Sequence, residues 1–258
     1  MRGKGVKSLR VEFVLLTAFL LLSAQAVSAA DYAPAFNWTG PYAGLHLGYG
    51  WGNADTNFSP LPDSNTFGML PAKLSPRPSG VGGGVQGGYN YQMGRFVAGI
   101  EADFSGSGMS GSSTSAIIGT NGAPIAGVGP LTAHQTINWF GTLRPRLGYT
   151  ITPTILLYGT GGLAYGSISS SANTDLRPLL PIFYHASSSG TNVGWTAGGG
   201  IEWGVSKCWS VKAEYLFMDL GSRSSVADSN IVLTTPTQVG YKWQSTANIL
   251  NFGVNYKF

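Results

Sequence analysis

The chain has 258 residues, with 38 glycines, 12% aromatic and only 10% charged residues, and a formal net charge of +4. Much of that charge is N-terminal: Arg2, Lys4, Lys7 and Arg10 against Glu12 leave the remainder at about +1. A nearly neutral chain gives no electrostatic reason to expect nucleic acid as a partner, and a single cysteine, Cys208, excludes an intramolecular disulfide framework. Cys208 reads as an ordinary small residue in a turn.

The N-terminus reads as an export signal. A basic start is followed by the apolar run Phe13 to Leu22 and then by small residues, with cleavage expected after Ala29 or Ala30. The run is too short to span a bilayer as a helix, which needs about 20 residues. The organisation expected is therefore a cleaved signal peptide over 1–29 and a single domain over 30–258. After residue 30 no apolar stretch is long enough for a membrane helix. A membrane protein built from such a chain must be a closed barrel, because only helices and closed sheets satisfy every backbone group in lipid.

Alternation with period two marks eight strands in order. Residues 43–51 set Ala43, Leu45, Leu47, Tyr49 and Trp51 against Gly44, His46, Gly48 and Gly50. Residues 81–91 alternate Val81, Val85, Tyr89 and Tyr91 with Gly82, Gly84, Gln86 and Asn90. In 96–104, Phe96, Ala98, Ile100, Ala102 and Phe104 oppose Glu101 and Asp103. In 137–149, Ile137, Trp139, Leu143, Leu147 and Tyr149 oppose Asn138, Thr142, Arg144 and Arg146. A fifth strand over 154–166 has no facing that the pattern alone decides.

The remaining three are clearer. Residues 192–205 oppose Val193, Trp195, Ile201 and Trp203 to Asn192, Thr196 and Glu202. In 209–218, Trp209, Val211, Tyr215 and Phe217 oppose Lys212 and Glu214. The chain ends with Leu250, Phe252, Val254, Tyr256 and Phe258 against Asn251, Asn255 and Lys257. Short links at 92–95, 150–153 and 206–208 alternate with long ones at 52–79, 105–135, 167–191 and 219–242. Short periplasmic turns and long outer loops are the pattern of outer-membrane barrels.

Alternation alone also fits a soluble barrel turned inside out. Three features favour the membrane. The apolar faces carry no charge. The polar faces are rich in glycine, which makes room for long side chains in a narrow eight-stranded interior. The aromatic residues gather near strand ends in two girdles, as the two bilayer interfaces favour.

Several segments resemble the alphaproteobacterial outer-membrane family of porin-type or opacity-type eight-stranded β-barrels. They are Trp38 to Trp51, Val81 to Tyr91, Val97 to Asp103, Trp139 to Tyr149, Leu157 to Gly166, Gly194 to Trp203, Trp209 to Tyr215 and Val254 to Phe258. The resemblance implies an all-β, transmembrane, eight-stranded antiparallel up-and-down barrel in the cell outer membrane. It also implies a C-terminal assembly signal at Tyr256 and Phe258. Lipid, lipopolysaccharide and the assembly machinery are then the expected partners, with the oligomeric state left open. Two departures stand out: Pro145, where the family tends to have a small residue and where a bulge is expected, and Trp243 on the polar parity of the last strand.

The lumen carries the chemistry. Glu101 and Asp103 should stand level with Arg144 and Arg146 on the neighbouring strand, with Glu202, Lys212 and Glu214 as a second group. Such charges must pair. They make either a salt-bridge plug or a charged, ion-selecting constriction. The function expected is a structural or surface role in the envelope, with a narrow porin or an adhesin-like binder as alternatives. His185 and Ser187 superficially resemble a lipid-A deacylase pair, but no orienting acid accompanies them. Neither an enzyme, a cofactor nor a metal site is expected, since His46, His134 and His185 are dispersed.

Overall fold

The computed structural model describes residues 36–61, 72–119, 121–177, 183–228 and 238–258. The signal-peptide reading for 1–29 lies outside them. The strands are β1 (Gly40–Leu61), β2 (Ala72–Leu74), β3 (Ser79–Met93), β4 (Phe96–Ser115), β5 (Leu131–Thr152), β6 (Ile155–Asp175), β7 (Phe183–Gly204), β8 (Trp209–Asp228) and β9 (Gln238–Lys257). Neighbours in the chain pair antiparallel, and β1 also pairs with β9, which closes the ring. Eight staves make that ring, because β2 continues β3 above a break. Pro76 and Pro78 cannot donate to a ladder, yet their carbonyls still accept from Ala54 and Gly52 at 2.9 Å.

The outward face of the lower half is the apolar face the alternation marks. Leu45, Leu47, Val81, Val85, Leu147 and Val193 are all more than half exposed on the outer wall. β6, whose facing alternation left open, turns Leu157 and Leu163 outward and Leu156, Tyr158 and Ala164 inward. Aromatic pairs ring both ends of this band: Phe96–Tyr149 and Trp209–Tyr256 at the short-turn end, Phe104–Trp139 and Trp195–Phe217 at the other. The turns are tight. Met93 and Phe96 pair directly across Gly94 and Arg95, and Gly94 takes the positive φ (61°) that the reversal needs.

The long links are mostly strand rather than loop. β6 has 21 residues; at about 3.3 Å per residue and a tilt of about 40° it climbs roughly 50 Å, about twice the height of an apolar band. Above the upper aromatic girdle the polarity inverts. On β6, Ser167, Ser169 and Ser171 face out while Ile168 and Ala172 face in. On β7, His185, Ser187, Ser189 and Thr191 face out while Tyr184 and Ala186 face in. A wall bathed in water needs a polar exterior and an apolar core, the reverse of a wall bathed in lipid. Serine, threonine and glycine on the outside made these stretches read as loops.

Bulges accompany the inversion. The β4–β5 register shifts between Gly106 and Met109, the β5–β6 register between Ile137 and Trp139, and the β8–β9 register between Asp219 and Ser222. The shift on β5 corrects one facing: Ile137 points inward and is buried, while Asn138 is exposed. The bulge expected at Pro145 is absent. The β5–β6 ladder skips Arg144 and Pro145 but resumes in the same register, and Pro145 pairs with Ile100 on β4. Trp243 does point inward, as its parity requires, because the interior at that height is apolar.

Candidate functional site

Inside the lower barrel, the residues of the two expected charge groups form one network. Glu101 and Arg144 are directly opposite on β4 and β5, and Arg144 Nη2 donates to Glu101 Oε1 at 2.9 Å. The same nitrogen reaches Asp103 at 3.0 Å and, from across the lumen, Glu214 at 3.2 Å. Arg146 donates to Glu202 at 2.7 Å and reaches Glu101 at 3.4 Å. Lys212 donates to Glu101 at 2.8 Å. Glu101 thus meets all three cations. Every one of these seven side chains is buried. The adjacency of β4–β5 and of β7–β8 was legible in the chain; the joining of the two groups across the lumen was not.

Other groups complete the layer. The Tyr42 hydroxyl donates to Glu101 at 2.7 Å and the Tyr158 hydroxyl to Glu214 at 3.0 Å. The Arg146 guanidinium lies over the Tyr158 ring, 3.9 Å from its centroid. Ser210 and Asn255 both donate to Glu202, and Thr142 donates to Asp103. His46 lines the lumen and shares a 2.7 Å hydrogen bond with Ser105. Sequence reasoning missed the tyrosines. Tyr42 shares its parity with Gly44 and His46, so the pattern could have found it; Tyr158 sits on the strand whose facing was undecided.

Glycine makes the space. A Cβ at Gly88, opposite Glu101, would lie 2.5 Å from the Tyr42 hydroxyl, and one at Gly200, opposite Glu214, would lie 2.8 Å from the Tyr158 hydroxyl. Either would push a phenol off its carboxylate. The layer holds three cations against four carboxylates, and each carboxylate also accepts from a hydroxyl or a side-chain amide. Hydrogen bonding as well as pairing is what makes such burial tolerable.

Apolar layers close the lumen on both sides. At the short-turn end Phe36 and Trp38, with ring centroids 4.5 Å apart, enter the mouth and pack with Val97, Leu156 and Tyr158. Above the charges lies a layer that includes Met109, Ile137, Phe140, Leu216, Met218 and Ile249. Higher still, Leu131, Tyr184, Val239, Tyr241 and Trp243 belong to the core of the upper barrel.

The remaining candidates stand apart. Tyr256 and Phe258 lie on the outer wall, edge to face at 5.2 Å, and Phe258 N donates to Pro41 O across the β1–β9 seam. His185 is exposed on β7, not in a loop, with its Nδ1 2.6 Å from Asn173 Oδ1, whereas Glu202 is held by Arg146 in the lumen. His134 lies on the outer face of β5 beside Thr136. Cys208 falls in the turn between β7 and β8. Among the described residues no three His, Cys, Asp or Glu side chains gather as metal ligands.

Comparison with known proteins gives a consistent result. The family model described as outer membrane protein beta-barrel domain matches residues 15–258. The chain is 35% identical over 246 residues to the 31 kDa outer-membrane immunogenic protein of Brucella melitensis, covering 94% of this chain and 93% of that one. It is 31% identical over 200 residues to a 22 kDa outer membrane protein of Rhizobium leguminosarum, covering 78% and 72%. It is 27% identical over 256 residues to the 25 kDa outer-membrane immunogenic protein of Brucella abortus, covering 92% and 100%.

Proposed function

Because this chain belongs to the outer membrane protein β-barrel domain family, we propose that it serves the outer membrane as a non-conducting barrel that braces the envelope and holds a folded surface outside. One observation carries this reading: a buried layer of seven interlocked charges lies between two apolar layers. An ion crossing the barrel would have to break buried pairs and then pass a packed layer of methionine, isoleucine and phenylalanine. Eight-stranded interiors are only wide enough for side chains to fill. The short-turn end, with the N-terminal segment in its mouth, faces the periplasm in this reading. No step of catalysis enters it, since His185 and Ser187 lack an acid to orient them.

Single-channel recording in planar bilayers tests the proposal. The expected trace stays at baseline apart from brief openings. A steady conductance with ion selectivity sensitive to Glu101→Gln overturns it in favour of the narrow porin. The outer wall above the girdle supports a second role as a binding surface. It is β-sheet rather than loop, and it presents Ser, Thr, Asn and His side chains in rows. The Brucella relatives are named outer-membrane immunogenic proteins, which agrees with a chain whose upper half is displayed outward.

A further inference from the structure

The upper lumen holds a basic residue whose environment the sealed-barrel reading does not use. Arg223 sits on β8 opposite Trp243 of β9, above the bulge at Asp219–Ser222. Its guanidinium extends inward over Gly190 of β7, where a Cβ would lie 2.3 Å from Arg223 Nη1. Among the described residues Arg223 has neither a carboxylate nor a hydrogen-bond acceptor, and none of the four carboxylates of the lower layer lines its surroundings. It is only partly exposed. A guanidinium held inside a barrel without a counter-charge is costly.

Beside it lies a cavity of about 10 Å³, space for one water-sized occupant. Donors line this cavity. The indole of Trp243 is 2% exposed, and its Nε1–H has no partner. Ser170 and Ser188 are opposite each other on β6 and β7 and present two hydroxyls. Ser245 accepts from Gln135 Nε2, so its own proton is free to point elsewhere. One acceptor, Gln135 Oε1, also lacks a donor. A water would therefore find partners here too. The unbalanced charge of Arg223 is what separates the two occupants, because a neutral molecule leaves it unpaired.

We propose that Arg223, Trp243, Ser170, Ser188 and Ser245 form a binding site for a small monatomic anion of the halide class, chloride in ordinary salt. A space for one water-sized body suits a monatomic anion better than phosphate. A bound halide takes charge-assisted hydrogen bonds from the guanidinium, as buried anions do, and ties β6, β7, β8 and β9 together above the membrane. Binding to the folded state alone stabilises it by mass action, so the site makes the upper barrel's stability depend on halide.

Two measurements on the full chain folded in detergent test this. The first is diffraction at the bromine absorption edge from crystals equilibrated with sodium bromide. Anomalous density beside Arg223 and Trp243 is expected; a refined water without anomalous signal overturns the proposal. The second is Tm at constant ionic strength as gluconate is replaced by chloride. A saturable rise is expected in the natural chain and its loss in Arg223→Gln. An equal rise in both chains overturns the site. Should Arg223→Gln fail to fold, Gly190→Ala serves instead: it crowds the guanidinium aside and should shift half-saturation to higher halide. An unchanged halide response in that variant also overturns the proposal.

Discussion

Glu101 and Arg144 face each other across the β4–β5 ladder and form a 2.9 Å ion pair with both side chains at most 2% exposed. Glu101 is the shared partner of all three lumen cations, so its loss is felt by each. Replacing it with glutamine keeps the shape but removes the charge that Arg144, Arg146 and Lys212 have in common. Breaking one side of a buried pair costs about 3–5 kcal/mol. Glu101→Gln should therefore lower Tm clearly, as followed by heat-modified mobility on gels. An unaltered Tm would show that the network is not holding the barrel.

Asp103 offers the contrast. Arg144 keeps Glu101 and Glu214 when Asp103 is lost, and the layer already has one carboxylate more than it has cations. Asp103→Asn should cost far less than Glu101→Gln, roughly 1 kcal/mol, the scale of a single hydrogen bond. Equal Tm losses in the two variants would mean that charge count, rather than the shared position of Glu101, governs the layer.

Orientation is tested by thiol labelling of intact cells. In a Cys208→Ser background, cysteines at Ser112 and Ser189, both exposed on the upper wall, should react with an impermeant maleimide. Cysteines at Gly94 and Thr152, at the short-turn end, should react only after the outer membrane is permeabilised. The reverse labelling would invert the topology.

The C-terminus makes a kinetic prediction. Phe258 packs on Tyr256, and Tyr256 packs on Trp209, along the outer wall at the seam. If this exposed aromatic end is what the assembly machinery recognises, deleting Phe258 should slow insertion and reduce the heat-modifiable folded fraction. Insertion at the natural rate would rule out that role.

Acid should loosen the edge of the upper barrel at β2. Lys73 and Ser75 both donate to Asp55, and these hydrogen bonds hold its carboxyl below the usual range. A carboxyl lowered in the folded state stabilises above its unfolded pKa, and that contribution fades as pH falls through the folded value. The pair is exposed, so the effect is local rather than global. Amide exchange at Ala72–Leu74 should quicken, relative to its intrinsic rate, as pH falls below the carboxylate range. Asp55→Asn should exchange faster already at neutral pH and lose this acid dependence.

Much of the lower barrel was legible in the chain. Period-two alternation over Leu45–Trp51, Val81–Tyr91, Trp195–Trp203 and Leu250–Phe258 set strand number, order and lipid-facing residues, because each strand there has one face in lipid and one in a packed lumen. The pairing of Glu101 with Arg144 followed from adjacency and equal height. Alternation could not show where strands end once the surroundings change from lipid to water. Rows such as Ser167–Ser171 and Ser187–Thr191 then carry hydroxyls outside and small or apolar residues inside, a weaker contrast that composition alone assigns to loops.

Amino-acid order by itself thus determined a closed, eight-stranded barrel with charges inside and aromatic girdles outside, since each of these is a local alternation in one solvent. Only the tertiary structure decided which charges meet. Arg144 with Glu214, Arg146 with Glu202 and Lys212 with Glu101 are contacts across the lumen between strands that are not neighbours. Their reach depends on barrel curvature and on which side chains are short enough to let long ones pass. The same holds for Arg223, which the β8 bulge turns inward toward Trp243. A bulge reverses parity without a mark in the alternation, so no reading along one strand can place Arg223.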